Sequence, residues 1–207
     1  SKRIKIQTKW SDETKGEVWK RIIRRKILAE KEVLLRRGYS VEAEILAAYS
    51  DEVERGDLTN REGHAAKVYF NRILPDGETR RSGGFLNGCL NYGYAVLLSA
   101  INREIAASGY LTQIGIWHDN EFNQFNLGSD LIEPLRTVVD ETALKIENGD
   151  KGFKRIMANV LNLEAKFDGK QTTFDVALRQ YVRSVLFALE TGDADAVKFP
   201  EEVKLYE

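Results

Sequence analysis

Four side chains of this 207-residue sequence have the chemistry of a metal-dependent active site. Glu62 lies in a segment of alanines and aromatic residues, where a carboxylate is costly to desolvate unless it meets a cation. Asp130 and Glu133 are three positions apart, so both carboxylates can face one side of a helix. His118 adds an imidazole. Carboxylates with one nitrogen suit Mn²⁺ or Mg²⁺ better than a structural zinc, and such ions serve phosphodiester chemistry.

Each of these residues also has a purely structural explanation. Glu62 lies at the start of a predicted helix, where the helix dipole favours an acidic side chain. Asp130 and Glu133 fall in a first helical turn as well, and a single histidine often packs or caps rather than binds a metal. The spacings of 56 residues from Glu62 to His118 and of 15 from His118 to Glu133 match no short general motif. The residue types alone leave both explanations open.

Helical periodicity predicts the elements that would position these residues. We expect helices over about 11–37, 40–56, 60–73, 85–108, 128–146, 153–161 and 174–189. The helix over 85–108 is the most apolar, and we expect it to be the most buried. An extended piece over 110–117 and a hairpin that turns at Asp168-Gly169 complete the prediction. The predicted fold class is mainly α, a helical bundle-like catalytic domain with few short strands.

Composition places the chain among ordinary folded proteins. Apolar residues make up 43% and charged residues 30%, with only 3 prolines, which argues against a disordered or collagen-like chain. Cys89 is the one cysteine, so an intramolecular disulfide and a paired-cysteine metal site are excluded. This cysteine usage fits a reducing, cytoplasmic location. The longest apolar runs are far shorter than the ~20 residues of a bilayer span, and we expect no membrane segment and no secretion.

The charge of the chain is distributed unevenly. Residues 1–37 carry 13 Lys and Arg against 5 Asp and Glu, and the remainder carries 18 against 27. A basic segment attached to an acidic body can contact a polyanion such as DNA through one end. A solvated helix face explains the same pattern, so charge alone does not identify a partner.

Three stretches carry a resemblance to a known family. They are REGHAAKVYFN at 61–71, LNGCLNYGYAVLLSAINREIAASGY at 86–110 and GIWHDNEFNQFNLGSDLIEPLRTVVD at 115–140. In this order they resemble the CRISPR adaptation integrase, the CRISPR-associated protein one family, and the bacterial subtype II form looks nearest. The resemblance implies that Glu62, His118 and Glu133 are the catalytic residues and hold one Mg²⁺ or Mn²⁺. It implies Asp130 as the neighbouring, supporting acid.

The same resemblance implies a reaction and its partners. A prespacer 3′-hydroxyl attacks a phosphodiester at the edge of a CRISPR repeat, and two such transesterifications insert the new spacer. The implied partners are prespacer and repeat DNA, a second copy of the full-length form, the small adaptation subunit (CRISPR-associated protein two), the RNA-guided effector nuclease and a ring-shaped accessory protein that binds DNA ends. Candidate phosphate contacts, each also explained as an ordinary surface charge, are Lys67, Arg72, Arg80, Arg81 and Arg136.

One feature departs from the family pattern. Family members begin with a small β-rich domain, whereas this chain opens with SKRIKIQTKW. We therefore expect residues 1–207 to be a single helical catalytic domain, with residues 1–10 as the junction from a missing first domain. Two other functions stay open: a DNA-binding or scaffolding fragment without catalysis, and an unrelated helical metal phosphohydrolase.

Overall fold

The computed structural model describes residues 2–205 of the chain, so residue 1 and residues 206–207 of the predicted single domain lie outside the described residues. The described chain is mainly helical, which confirms the predicted fold class. Its helices are α1 (Lys2–Gln7), α2 (Asp12–Arg36), α3 (Ser40–Asp51), α4 (Arg61–Ile73), α5 (Phe85–Ala107), α6 (Asn126–Leu131), α7 (Arg136–Leu144), α8 (Phe153–Ala158) and α9 (Phe174–Thr191). Short 3-10 turns cover Arg55–Asp57, Glu133–Leu135, Asn159–Asn162 and Ala194–Ala196. None of the helices within 2–205 is long and apolar enough to cross a membrane.

Helix α2 begins and ends close to its predicted limits, and a side chain caps its N-terminus. The Ser11 hydroxyl accepts a hydrogen bond from the Thr14 N–H at 3.1 Å, which satisfies one of the donors left free at a helix start. Ile22, Ile23 and Ile27 are all fully buried on its core face. This face packs against α3, α4, α7 and α9, so α2 supports much of the domain.

Helix α9 is the most buried of the long helices, and the prediction that α5 would be is wrong. Nine of the 18 residues of α9 are buried, against 10 of the 23 residues of α5. The reason is a stripe of small or polar residues on α5. Asn91, Ala95 and Ser99 recur at four-residue spacing and are exposed, so one side of this apolar helix faces solvent.

The predicted hairpin is confirmed at its turn. Strands β1 (Glu164–Phe167) and β2 (Lys170–Thr173) pair antiparallel, with Phe167 opposite Lys170. Asp168 and Gly169 join the strands with φ angles of 52° and 73°, the left-handed backbone that a two-residue hairpin turn requires. A third strand, β3 (Glu201–Lys204), pairs with β1 on the other side and was not predicted.

Two further predictions are wrong in the region that carries the candidate site. The helix expected over 128–146 is divided into α6, the 3-10 turn Glu133–Leu135 and α7. Pro134 causes the division, because its ring blocks a helical hydrogen bond. The segment over 110–117, expected to be extended, forms no strand and follows an irregular path.

Candidate active site

Glu62 lies in the first turn of α4, and the backbone there is fixed by two capping side chains. The Asn60 side chain caps the helix, and the Asp57 carboxylate accepts hydrogen bonds from the Arg61 and Glu62 N–H groups at 2.9 and 3.0 Å. The sequence allows either Thr59 or Asn60 as the cap of this helix, and the structure has Asn60. The Glu62 carboxylate is partly exposed and leaves the helix start to meet Lys26, whose Nζ lies 2.5 Å from Glu62 Oε1.

Glu133 lies in the 3-10 turn beside Pro134 and is almost fully buried. Lys26 Nζ lies 2.6 Å from its Oε2 atom, and Arg136 donates from Nε and Nη2 to its Oε1 atom at 3.0 and 2.9 Å. Burial by itself would raise the pKa of the Glu133 carboxyl, but Lys26 and Arg136 outweigh that effect and hold the pKa at about 2. Glu133 is therefore an anion at neutral pH.

Lys26 is the cation that joins the two acidic residues. It is buried on α2, and its ammonium contacts Glu62 and Glu133 at once. Burial would lower the pKa of Lys26, but Glu133, Glu30 and Glu62 together raise it above its ordinary value. The two predicted metal ligands thus share one positive charge.

His118 is oriented by Asp130, which is completely buried. The Asp130 carboxylate accepts hydrogen bonds from the N–H groups of Ile116, Trp117 and His118 at 2.6, 3.1 and 3.0 Å, and the His118 Nδ1–H donates to its Oδ1 atom at 2.6 Å. Gly115 permits this close approach, because a Cβ atom there would lie 2.8 Å from Asp130 Oδ2. Asp130 therefore holds both the loop and the imidazole.

The imidazole of His118 is about half exposed and lies edge-on to Trp19, with ring centroids 6.0 Å apart. The hydrogen bond to Asp130 raises its pKa against the effect of burial, and Glu133 and Glu62 raise it further. Among residues 2–205, however, no three acidic, histidine or cysteine side chains are arranged to coordinate one ion directly. The structure brings Glu62 and Glu133 together, and the three-residue ligand set stays a prediction.

The sequence of the chain matches one protein family. The profile described as "CRISPR associated protein Cas1" covers residues 2–155. A CRISPR-associated endonuclease Cas1 from Neisseria meningitidis serogroup C (strain 8013) is 32% identical over 213 aligned positions, which include all of this chain and 70% of that protein. The chain belongs to the CRISPR-associated Cas1 family. This confirms the family resemblance noted in the sequence.

Other Cas1 proteins and solved structures agree with the assignment. A Cas1 endonuclease from Francisella tularensis subsp. novicida is 33% identical over 110 residues, or 48% of this chain and 35% of that protein. A casposase bound to integration product superimposes with a TM-score of 0.74 at 22% identity, over 92% of this chain and 69% of that one. A Cas6-RT-Cas1–Cas2 complex gives a TM-score of 0.79 at 20% identity, over 98% and 27%. At these identities the structural matches show a shared fold.

Membership of the Cas1 family decides against an unrelated helical metal phosphohydrolase. His118 and Asp119 do form an adjacent His-Asp pair of the kind common in such enzymes. Asp119 is exposed, and it is Asp130 that contacts the imidazole.

The five predicted DNA-contacting side chains of this Cas1 family member fall into two groups. Lys67 and Arg81 are exposed, and Arg72 is exposed but paired with Glu42. Arg80 and Arg136 are held within the fold. Arg80 donates to Asn87 and Asn91 and lies over the rings of Phe70 and Tyr94, whereas Arg136 binds Glu133 and lies over Tyr94 at 4.6 Å.

Beside Arg136 lies a second buried group of polar side chains. Asp140 is buried and accepts hydrogen bonds from the hydroxyls of Tyr69, at 2.8 Å, and Tyr94. Burial raises the pKa of Asp140 to about 6, although the two tyrosine hydroxyls, Arg136 and Arg80 oppose that shift. The hydrogen bond to Asp140 orients Tyr94, and the Arg136 guanidinium lies over the Tyr94 ring.

Asp140→Asn is expected to reduce the pH dependence of stability. The pKa of about 6 in the folded protein exceeds the ordinary 3.8, so between these values the folded state binds more protons and the unfolding free energy falls as pH rises. Wild type should lose about 2 kcal/mol relative to the variant between roughly pH 4.5 and pH 7.5. Urea denaturation at several pH values measures the difference, with Asp51→Asn, at an exposed site, as control. Parallel curves for wild type and Asp140→Asn would contradict the assignment.

Proposed function

We propose that this chain provides the catalytic domain of a metal-dependent DNA integrase of CRISPR adaptation. The observation that carries the proposal is the convergence of Glu62 Oε1 and Glu133 Oε2 on one cation, at 2.5 and 2.6 Å from Lys26 Nζ. Two carboxylates from different parts of the sequence share one positive charge, and Asp130 orients the histidine of the same predicted ligand set. A similar Cas1 protein is described as an endonuclease, and a divalent ion held by carboxylates suits phosphodiester chemistry.

The donor set fits a hard divalent ion. The Lys26 ammonium shows that one cation can contact both carboxylates, and Glu133 Oε2 is buried without a hydrogen-bond donor aligned to it. Glu62, Glu133 and His118 would hold Mg²⁺ or Mn²⁺. When bound, the ion supplies charge stabilisation at the scissile phosphate and favours the ionised form of an attacking hydroxyl.

The neighbouring residues position these groups. His118 donates from Nδ1 to Asp130, so its neutral ring keeps Nε2 as the nitrogen with a free lone pair, as in the carboxylate–histidine pairs of metal sites. Arg136 holds one oxygen of Glu133 and leaves the other to face Lys26. Asp130 and Arg136 are thus positioning residues rather than ligands.

Known relatives support the substrate and the partner of the reaction. The similar structures include a casposase bound to integration product and a complex that contains Cas1 and Cas2. We infer that this chain likewise acts on DNA and assembles with a Cas2 subunit. The 3′-hydroxyl of the incoming DNA is the nucleophile: it loses its proton and forms a new bond to phosphorus. The bond from phosphorus to the old 3′-oxygen breaks, and that oxygen takes up a proton.

Strand transfer measured with the intact protein tests the proposal. A labelled duplex with 3′-hydroxyl ends should become covalently joined to DNA that contains a CRISPR repeat, only with a divalent ion present. The same duplex with 3′-dideoxy ends is the matched control and should give no joined product. Binding of both duplexes without any joining or cleavage would instead indicate the non-catalytic DNA-binding or scaffolding role.

Lys67→Ala combined with Arg81→Ala is expected to weaken DNA binding by about tenfold, because two phosphate contacts are lost. The slope of log affinity against log salt concentration should become shallower by about 1.8. Fluorescence anisotropy at several salt concentrations measures both quantities. Lys170→Ala with Lys204→Ala, two exposed lysines of the sheet, is the control. An unchanged salt slope in the first double variant would remove Lys67 and Arg81 from the interface.

A further inference from the structure

The ammonium of Lys26 lies between the two carboxylates to which we assign the metal. Its Nζ atom is 2.5 Å from Glu62 and 2.6 Å from Glu133, and the residue is 5% exposed. Lysine is rarely buried, and the negative charges of Glu62 and Glu133 offset the cost of burying this one. A divalent ion that contacts the same two oxygen atoms would need the space that the ammonium fills.

Charge also prevents the ammonium and a divalent ion from sharing the site. Among the four side chains in direct contact, the charges of Lys26 and Arg136 balance those of Glu62 and Glu133. A divalent ion would add two positive charges to this largely buried group. Entry of the ion is therefore opposed unless positive charge leaves or negative charge arrives.

The helix that carries Lys26 cannot move away to solve this conflict. Ile22, Ile23 and Ile27 are fully buried around it, so α2 is held by the core on both sides of Lys26. The flexible side chain alone can change position. Once displaced, an ammonium needs a new anion, and a phosphate of DNA entering the site is the anion that the proposed reaction brings.

We propose that Lys26 makes divalent-ion binding conditional on DNA: the ammonium occupies the position between Glu62 and Glu133 when DNA is absent and transfers to a DNA phosphate when the ion enters. This inference rests on the proposed function, because it takes the same two carboxylates as metal ligands. Metal and DNA should then each increase the affinity for the other by the same factor. Lys26 acts through the metal ligands and is a positioning residue.

Titration of Mn²⁺ followed by electron paramagnetic resonance tests this coupling in the intact protein. Measurements are made without DNA and with a 3′-dideoxy duplex that binds but cannot react. In wild type the duplex should lower the Mn²⁺ dissociation constant at least tenfold. In Lys26→Met the dissociation constant without DNA should already be about tenfold lower than in wild type, and the duplex should change it less than threefold. Lys20→Met, on the same helix, should behave as wild type.

A Lys26→Met protein that folds and binds Mn²⁺ no tighter than wild type without DNA overturns the proposal. Lys26→Gln, which keeps a polar group, serves if the methionine variant does not fold, with the same expected direction. Glu62→Gln separates this proposal from the proposed function. If Glu62→Gln loses Mn²⁺ binding but substitution of Lys26 has no effect, the Lys26 inference alone is refuted. If Glu62→Gln binds Mn²⁺ as wild type does, the metal site itself is refuted.

Discussion

Glu62→Gln is expected to lower Mn²⁺-dependent strand transfer by about 100-fold or more while the protein stays folded and binds DNA. The glutamine keeps the size of the side chain but removes a charged ligand, and metal ligation contributes several kcal/mol to the stabilisation of developing charge. Lys26 remains paired with Glu133 at 2.6 Å, so the unfolding free energy should change by less than about 1 kcal/mol. Single-turnover strand transfer and thermal denaturation measure the two effects.

A nearby surface carboxylate provides the matched control for that variant. Glu52 pairs with Arg61, the neighbour of Glu62 in sequence, at 2.9 Å and is half exposed. Glu52 follows α3 and contacts the start of α4 through Arg61. Glu52→Gln removes one negative charge there and should keep strand transfer within about twofold of wild type. Equal activity of Glu62→Gln and Glu52→Gln would show that Glu62 is only a helix-start residue, the structural explanation that its sequence position also allows.

Glu133→Ala is expected to destabilise the fold by about 2–4 kcal/mol, because it removes the buried anion that Lys26 and Arg136 share and leaves Lys26 with only the partly exposed Glu62. Lys26 and Arg136 both contact Glu133; the Lys26 side chain is buried, whereas the Arg136 side chain is 29% exposed. Activity lost in this variant would therefore mix a metal effect with a folding effect. Urea denaturation monitored by circular dichroism measures the destabilisation.

A second substitution shows where that cost arises. Glu133→Ala combined with Lys26→Met also removes the buried cation that Glu133 neutralises, and the double variant should recover about 1–2 kcal/mol relative to Glu133→Ala alone. Glu141→Ala is the control, since its partner Arg36 is half exposed and the pair should contribute less than about 1 kcal/mol. A cost below about 1 kcal/mol for Glu133→Ala would contradict a buried charge network.

Local chemistry predicted those parts of the fold that nearby residues determine. Thr59 or Asn60 is the cap that the sequence predicts for α4, and Asn60 caps it; Asp168-Gly169 turns the hairpin as predicted. Each of these features depends on hydrogen bonds or backbone angles within a few residues. The break at Pro134 also has a local cause, but amphipathic periodicity continues through it, so a single helix over 128–146 was predicted.

Lys26 could not be assigned from local chemistry. In the sequence it belongs to a basic run, and such a run is ordinarily a solvated helix face. A signal was present: Ile22 and Ile23 precede it and Ile27 follows it, so Lys26 lies on the apolar side of α2. Its function depends on Glu62 and Glu133, which approach it only in the folded chain. The partners of Arg80 were also not evident from the sequence, since Asn87 and Asn91 lie on α5; its contact with DNA stays a prediction.

A crystal of the intact protein, soaked in Mn²⁺ with an unreactive DNA duplex, tests the central claim most directly. Anomalous scattering at the manganese edge locates the ion without reference to any assumed ligand. We expect one peak between Glu62 and Glu133, about 2.0–2.5 Å from a carboxylate oxygen of each and from a ring nitrogen of His118, with the Lys26 ammonium displaced. A peak elsewhere, or density that shows Lys26 still between the two carboxylates at saturating Mn²⁺, would contradict the metal site and the integrase mechanism built on it.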